Sequence, residues 1–253
     1  MILPRPTNAQ FRLWRRLNNA KTRLREGLLL AEGIKVVGEL LKSTWTVKAI
    51  LVREGKEAPP FFAPAPPDVP VYFLAAKEWN QLSQDKTPEG IMAVAALPER
   101  PTVECLQSTG HVILAYRINN PNNLGALIRT AHWFGFAAIA LSSNSVDFAN
   151  PKVVRASMGS LFHLTIISDL DFATLLPTLQ ERYLLLAGDA QKGIAPHSCA
   201  QQAAALLLGS ESYGLPAELL ELAAERWKIP GTGNAESLSL PQAAAIMMYA
   251  MSF

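Results

Sequence analysis

Apolar and polar residues alternate in blocks along the chain, and their spacing changes from block to block. In the first hundred residues, four short apolar runs predict β-strands: GLLLAEG, VKAILV, VYFL and IMAVAAL. Residues 8–18 predict a helix, because Phe11, Trp14 and Leu17 recur at three-residue spacing on one side. A second helix is predicted after the first strand, and its shared apolar face consists of Ile34, Val37, Leu40 and Leu41.

The second half of the chain repeats this alternation. The runs HVILAY, FAAIALS, YLLLAG and AALLLG predict strands, and Leu124–Phe134 predicts a helix that ends at Gly135. Asn150 and Pro151 are the residue types that cap and start a helix. Strands that alternate with helices in both halves predict an α/β fold.

Two segments without apolar periodicity interrupt these blocks. Prolines cluster between residues 59 and 70, which predicts an extended surface loop. The segment PERPTV, residues 98–103, has two prolines and two opposite charges and predicts a linker. We therefore expect an N-terminal domain over residues 1–99 and a second domain over residues 100–253.

The last part of the chain contains the same arrangement twice. The apolar runs Leu206–Leu208 and Lys228–Ile229 each stop at a polar loop rich in small residues, GSES and PGTG. Each loop leads into a helix with a proline near its first turn, Pro216 or Pro241. Buried strands that end together in this way form a crevice at the carboxyl edge of a parallel sheet, where open α/β sheets bind ligands.

Composition excludes several classes of protein. Apolar residues make up 49% and charged residues 17% of the 253 residues, which is sufficient for a packed core. The longest apolar runs fall short of the roughly 18 residues that span a bilayer, and MILPRPTNAQF lacks the apolar core of a secretory signal. Only Cys105 and Cys199 are present and the four histidines are scattered, so we expect no disulfide framework, no metal site and a cytoplasmic location.

Positive charge is concentrated at the N-terminal end. Residues 1–27 carry seven basic side chains and one acidic side chain, whereas the whole chain has a net charge of +2. A basic end on a mildly acidic body predicts contact with a polyanion. A solvated helix face is the alternative, and the interleaving of Phe11 and Trp14 with the arginines argues against it. The candidate residues for this contact are Arg12, Arg15, Arg16 and Arg23.

The segment RINNPNNLGALIRTAHWFG lies where a strand gives way to a helix. Asn123 is expected to cap this helix with its amide in the crevice, and Arg129 follows six residues later. An amide and a guanidinium near a helix N-terminus suit an anion or a hydroxyl group. By itself, the segment favours the simpler interpretation of a capping asparagine and a surface arginine.

Two later loops carry further candidate groups. In GSESYG, Glu211 lies in a turn between a buried strand and a helix, where the helix N-terminus stabilises a carboxylate. In GTGNAESLSL, Ser237 and Ser239 precede the last helix, and both could be ordinary capping residues. The same loop lacks the third glycine of a dinucleotide-binding loop.

Taken together, the three segments resemble the SpoU (TrmH-like) family of RNA 2′-O-ribose methyltransferases, of the SPOUT class. The matching positions are Asn123 and Arg129 in the first motif, Gly209, Glu211 and Gly214 in the second, and Ile229-Pro230 through Ser237-Leu238-Ser239 in the third. The stretches LREGLLLAEGIKVVGELL and TPEGIMAV resemble the substrate-binding domain of the family, whose fold is similar to a ribosomal protein.

The resemblance implies an S-adenosylmethionine-dependent enzyme that methylates a ribose 2′-hydroxyl of ribosomal or transfer RNA. The polyanion at the basic end would then be this RNA, and its candidate RNA-binding residues are Arg12, Arg15, Arg16 and Arg23. It implies a homodimer in which the C-terminal segment passes through a loop to form a deep trefoil knot, which ordinary folds lack. Backbone groups of the second and third loops would hold the cofactor. The implied cofactor-binding residues are Gly209, Glu211, Ile229, Pro230 and Leu238.

The resemblance also implies the catalytic residues Asn123, Arg129, Ser237 and Ser239. A guanidinium rarely gives up its proton in proteins, so we expect Arg129 to clamp the phosphate and polarise the 2′-oxygen. Ser239 stands where the family usually has asparagine, and it lacks the two amide donors. This departure leaves open a protein that binds RNA or assists ribosome assembly without catalysis. Methylation of a base in the same fold is a further alternative.

Overall fold

The computed structural model describes residues 4–56, 68–99, 101–107 and 110–253. Most of the predicted proline loop and residue 100 of the predicted linker lie outside these ranges. The chain divides into two compact units. The first contains Met1–Glu99 and Asp147–His163, and the second contains Arg100–Val146 and Leu164–Phe253. The sequence did not indicate that a segment of the second half, Asp147–His163, packs with the N-terminal unit.

The helices and strands follow the predicted alternation. Up to residue 99 they are α1 (Asn8–Arg16), α2 (Ala20–Glu26), β1 (Leu28–Glu32), α3 (Ile34–Lys42), β2 (Val47–Arg53), β3 (Val71–Leu74), α4 (Ala76–Leu82) and β4 (Ile91–Ala96). Beyond it they are β5 (Val112–Ala115), α5 (Pro121–Trp133), β6 (Ala138–Ser142), α6 (Pro151–Ala156), β7 (Thr165–Leu170), α7 (Phe172–Leu179), β8 (Leu184–Gly188), β9 (Ala204–Leu208), α8 (Ala217–Glu221), β10 (Glu225–Trp227) and α9 (Leu240–Ser252).

The first unit is built on a four-stranded mixed sheet in the order β1-β4-β2-β3. Strand β4 runs antiparallel to both of its neighbours, whereas β2 and β3 are parallel. Helix α1 packs its apolar side on this core, because Trp14 and Leu17 are buried beside Trp79 of α4. The predicted apolar side of the first helix is therefore confirmed, and its exposed side carries Arg12 and Arg16.

Helix α3 begins at a glycine and receives its cap from another part of the chain. Gly33 has a φ of 110°, and the Glu89 carboxylate accepts a hydrogen bond from the Ile34 N–H at 2.6 Å. The charge of Glu89 also suits the positive end of the helix. The pair Glu32-Gly33 thus connects β1 to α3, and the pair Glu89-Gly90 directly precedes β4. The prediction that Ile34 lies on the buried face is wrong, because Val36 occupies that position and Ile34 is exposed.

Segment Asp147–His163 is anchored in the first unit by a buried arginine. Arg23 is 2% exposed, and its Nε and Nη2 donate to Asp147 Oδ2 at 2.9 and 2.6 Å. Its Nη1 donates to the Leu17 carbonyl at 2.8 Å. The prediction that Arg23 contacts RNA is therefore wrong, because this guanidinium is withdrawn from solvent. It satisfies buried polar groups instead.

The second unit contains a six-stranded sheet in the order β10-β8-β9-β5-β6-β7. All five strand pairs are parallel, and every residue of β5, β6 and β9 is buried. The other predicted strands are confirmed, but the prediction of a strand at Lys228–Ile229 is wrong, because β10 comprises Glu225–Trp227 and ends before that run. The sequence reading missed β7 and α7. Among the described residues, none of the helices combines the length and apolar character needed to cross a bilayer.

Replacing Arg23 by Ala should destabilise the protein by about 2–3 kcal/mol, because it leaves Asp147 and a buried carbonyl without their donor. Arg25 is the matched control. Its side chain is 59% exposed and pairs only with the neighbouring Glu26, so Arg25→Ala should cost less than about 0.5 kcal/mol. Urea unfolding measures both. Equal losses for the two variants would contradict the anchoring role of Arg23.

Candidate functional site

The candidate site lies at the carboxyl edge of the parallel sheet. Because β10, β8, β9 and β5 are adjacent and parallel, the four loops that follow them emerge at the same edge. The loops after β5 and β9 start side by side, since the Tyr116 N–H donates to the Leu208 carbonyl at 2.8 Å. All three sequence motifs start from these loops.

The loop after β9 folds back on itself through two glycines. Gly214 has a φ of 64°, and its N–H donates to the Ser210 carbonyl at 2.8 Å. A Cβ on Gly209 would lie 2.3 Å from the Gly214 carbonyl carbon, a distance that no side chain permits. The spacing of the two glycines is therefore required by the turn. The turn holds Glu211 and Tyr213 outward, and Tyr213 is 93% exposed.

Helix α5 starts earlier than the sequence suggested. Asn120 is its cap and accepts a hydrogen bond from the Asn122 N–H at 2.9 Å, with Pro121 in the first helical position. The prediction that Asn123 caps the helix is wrong, because the Asn-Pro pair three residues earlier provides the stronger start. Asn123 lies instead in the first turn. Its side-chain Nδ2 donates to Glu211 Oε1, which joins the first motif to the second.

Arg129 lies apart from this pair. Six residues along a helix correspond to a rotation of about 240°, so Arg129 and Asn123 do not share a face of α5. Arg129 is exposed, and it forms neither a hydrogen bond nor an ion pair within the part of the chain that the structure describes. One chain therefore does not bring the predicted amide and guanidinium together.

The loop after β10 carries the third motif and is exposed almost throughout. Ser239 is the cap residue of α9, and its N–H and Oγ–H both donate to Gln242 Oε1, at 3.3 and 2.8 Å. Leu238 is 45% exposed, and Ile229 is half-buried. Ser237 is exposed and has no hydrogen-bond partner among the described residues. The motif thus reaches the same sheet edge, without a hydrogen bond to the Asn123–Glu211 pair.

The loop after β8 is the fourth loop at this sheet edge, and the sequence analysis did not identify it. Ile194 pairs with β10, because its N–H donates to the Arg226 carbonyl at 2.9 Å and its carbonyl accepts from the Lys228 N–H at 2.8 Å. Gly193 has a φ of 141°, and a Cβ there would lie 2.3 Å from the Arg226 oxygen. In the sequence, Gly193 follows the polar pair Gln191-Lys192 directly, and it was an available signal for this turn.

Comparisons with known proteins bear on this arrangement. The sequence model of the SpoU rRNA Methylase family matches residues 110–249. The chain belongs to this family. The model of the MRM3-like substrate binding domain matches residues 8–93 of this SpoU family member. The resemblance inferred from the three motifs is therefore confirmed.

Several relatives match nearly the whole chain of this SpoU family member. The 23S rRNA (guanosine(2553)-2'-O)-methyltransferase RlmP of Bacillus subtilis (strain 168) is 32% identical, over 96% of this chain and 95% of the relative. The human mitochondrial rRNA methyltransferase 3 is 26% identical, over 90% of this chain and 68% of the relative.

Solved structures extend the comparison to the fold. An AdoMet-bound rRNA methyltransferase from Sinorhizobium meliloti is 25% identical and has a TM-score of 0.83, over 98% of this chain and 95% of that one. An RNA 2'-O ribose methyltransferase is 27% identical, also with a TM-score of 0.83, over 99% and 97%. The α/β architecture with a parallel sheet is thus that of SpoU methyltransferases.

The scattered histidines of this SpoU family member have structural partners. The His197 ring lies 2.8 Å from the Glu225 carboxylate, which also accepts from the Trp227 indole N–H at 2.9 Å. The hydrogen bond that the His197 ring donates to Glu225 raises the pKa of His197, and the Trp227 and His197 contacts lower the pKa of Glu225. Burial lowers the pKa of His111. Within the described ranges, no three His, Cys, Asp or Glu side chains are grouped as for a metal ion.

The His197–Glu225 pair should make the stability of the second unit depend on pH. Because the folded pKa of His197 is raised above 6.5, its contribution is complete below pH 6.5 and is lost as the pH rises through the folded value. The thermal midpoint of the wild type should exceed that of His197→Gln at pH 6, and the difference should shrink towards pH 9. A difference independent of pH would contradict a charged His197 in the folded state.

Proposed function

We propose that the chain is a cytoplasmic, S-adenosylmethionine-dependent RNA methyltransferase that transfers a methyl group to a ribose 2′-hydroxyl of ribosomal or transfer RNA. The observation that carries this proposal is the contact between Asn123 and Glu211. It joins the first two SpoU motifs at the sheet edge where the third also begins. The names of the relatives support the same chemistry, and one solved relative is AdoMet-bound.

The loops after β9 and β10 suit a small ligand that is held mainly by backbone groups. Gly209 is half-buried and has no room for a side chain, so a ligand can approach its backbone closely. Ile229 and Leu238 offer partly exposed apolar surface in the loop after β10, at the same sheet edge. These positions, with Pro230, would hold S-adenosylmethionine. When bound, this cofactor supplies a methyl group that is already activated by its sulfonium.

The protein would then align the reacting atoms and stabilise charge. In the transfer, the ribose 2′-oxygen would take the methyl group as the bond from methyl carbon to sulfur breaks, and the hydroxyl proton would leave to water. Arg129 has an exposed guanidinium that no described residue engages. It is suited to clamp a phosphate and to polarise the 2′-oxygen with its planar fork of donors. Asn123 and Ser237 would complete the hydrogen bonding of the target.

One observation favours the alternative of a non-catalytic RNA-binding or ribosome-assembly protein. Ser239 stands in place of the family's usual asparagine, and both of its donors are directed to Gln242 of the same helix. This arrangement is that of a capping residue. A protein with only this role would keep the fold and the RNA-binding surface and would transfer no methyl group.

We propose that RNA binds along the exposed side of α1. Arg12 and Arg16 are exposed and have no hydrogen-bond or ion-pair partner in the described part of the chain, and Arg15 is bound only to Gln81, at 3.1 Å. These side chains can therefore neutralise phosphates without first breaking an ion pair. The match of residues 8–93 to a substrate binding domain supports this assignment.

We also propose that the protein is a knotted homodimer. The end of α5 and the end of α9 share an aromatic surface, in which Trp133, Tyr249 and Phe253 are 83%, 60% and 78% exposed. The rings of Tyr249 and Phe253 lie 5.4 Å apart, and Phe134 lies beside both. A self-complementary aromatic surface of this kind is suited to a second copy across a two-fold axis.

The knot is supported by the loop after β8, which meets both of the later elements. Ile194 of this loop pairs with β10, and the Cys199 N–H donates to the Met251 carbonyl of α9 at 3.2 Å. Such contacts are expected where a C-terminal segment has passed through the loop.

Methyl transfer from labelled S-adenosylmethionine to RNA tests the function. Total RNA from cells that lack this protein should accept label, and mass spectrometry of the digested product should find the methyl group on a ribose. Arg129→Ala should abolish the transfer. Label on a base would contradict the 2′-O assignment. Tight RNA binding without any transfer would favour the non-catalytic alternative.

Removing positive charge from α1 should weaken RNA binding and reduce its dependence on salt, because fewer phosphates are then neutralised. For Arg12→Gln/Arg16→Gln we expect about tenfold weaker binding and a logarithmic salt slope lower by about one to two. Lys35→Gln/Lys48→Gln is the matched control, because it removes the same charge from exposed residues of α3 and β2 in the same unit. An unchanged slope in the α1 variant would exclude these arginines from the interface.

Sedimentation equilibrium tests the dimer. The wild type should sediment at twice the 27.5 kDa mass of one chain, and Trp133→Glu/Tyr249→Glu should sediment as a single chain, because two buried charges oppose association. A wild type that is monomeric at tens of micromolar would contradict the proposed interface.

A further inference from the structure

We propose that Glu211 is a positioning residue, which fixes the carboxamide of Asn123 so that its oxygen faces the target hydroxyl. This inference rests on the proposed function. It gives Glu211 a role through Asn123, distinct from the cofactor contact that the family resemblance implies for the same residue. The proposal starts from the one side-chain hydrogen bond that joins two of the motifs.

An ionised carboxylate removes the ambiguity of an asparagine side chain. The carboxamide has two donors on nitrogen and an acceptor oxygen, and its two orientations are nearly equal in shape. A carboxylate can only accept, so the hydrogen bond to Glu211 Oε1 requires that Nδ2 faces Glu211. Oδ1 of Asn123 must then point away from Glu211. An acceptor in that position can bind the hydroxyl proton of a ribose.

Both partners are held by rigid backbone. Glu211 lies inside the turn that is closed by the Gly214 N–H bond to the Ser210 carbonyl, at 2.8 Å, and by the close approach of Gly209 to Gly214. Asn123 lies in the first turn of α5, which Asn120 caps and which Pro121 restricts. The backbone positions from which the two side chains extend are therefore fixed before the substrate binds, as is required of a preorganised site.

Charge also favours this pairing. Glu211 is exposed, and its carboxylate approaches the first turn of α5, where unpaired backbone N–H groups carry partial positive charge. The anion is therefore stabilised where it holds the amide. A neutral acceptor would hold the amide less firmly, because hydrogen bonds to charged groups are the stronger ones.

An exchange of the two functional groups tests the pairing. Asn123→Asp places two carboxylates against each other and should lower kcat at least about tenfold. Glu211→Gln alone should lower kcat only a few-fold, because the glutamine oxygen still accepts. The double variant Asn123→Asp/Glu211→Gln restores a hydrogen bond with reversed polarity, and the free carboxylate oxygen still accepts from the ribose. It should therefore recover most of the kcat that Asn123→Asp lost.

Calorimetry with S-adenosylmethionine separates positioning from cofactor contact. Glu211→Ala should lower kcat about tenfold and change the cofactor Kd by less than about twofold. The matched control is Glu218→Gln, which removes an exposed carboxylate from the neighbouring helix α8 and should change neither quantity. A Glu211→Ala variant with normal kcat, or a double variant no better than Asn123→Asp, would overturn the proposal.

A second measurement does not require turnover. In the wild type, the Asn123 side-chain amide should give one sharp pair of NH₂ signals in a ¹⁵N spectrum. Glu211→Ala should shift and broaden this pair, and Glu218→Gln should leave it unchanged. Unchanged Asn123 signals in Glu211→Ala would overturn the positioning role. A wild type that transfers no methyl group while these signals respond as expected would contradict only the proposed function.

Discussion

The parallel order of six strands is the constraint on which the rest of the second unit depends. Because β10, β8, β9 and β5 lie side by side and point the same way, loops that are far apart in sequence emerge together. Each loop needs only short-range chemistry to take its final shape, such as the Gly209–Gly214 turn or the Asn120 cap. The parallel sheet therefore brings the motifs together, and local turns and caps set the final shape of each loop.

Within this frame, the site is divided into parts that are already rigid and parts that are exposed and unpaired. The Asn123–Glu211 pair is rigid, whereas Arg129 and Ser237 have no described partner. Groups of the second kind are available to a ligand, to RNA or to another copy of the chain. The same contrast occurs in the first unit, where Arg23 is committed to the core and Arg12 is open to solvent.

Much of this could be predicted from the sequence, because apolar periodicity determines most strands and helices directly. The failures have physical causes. The cap of α5 is Asn120 rather than Asn123, because Pro121 suits the first helical position directly after Asn120. Arg23 was assigned to the surface because its partner, Asp147, lies 124 positions away. No local pattern reports such a pairing. By contrast, the six-residue spacing of Asn123 and Arg129 does place them on different faces of a helix.

The central claim is that the loops after β9 and β10, which emerge at the same edge of the sheet, close around one cofactor. Amide hydrogen exchange with and without S-adenosylmethionine tests it most directly, since each loop is observed separately in the same sample. The account predicts added protection in residues 209–214 and 228–239 together, with little change in β1–β4. Protection in neither loop, or in only one of them, would contradict the claim.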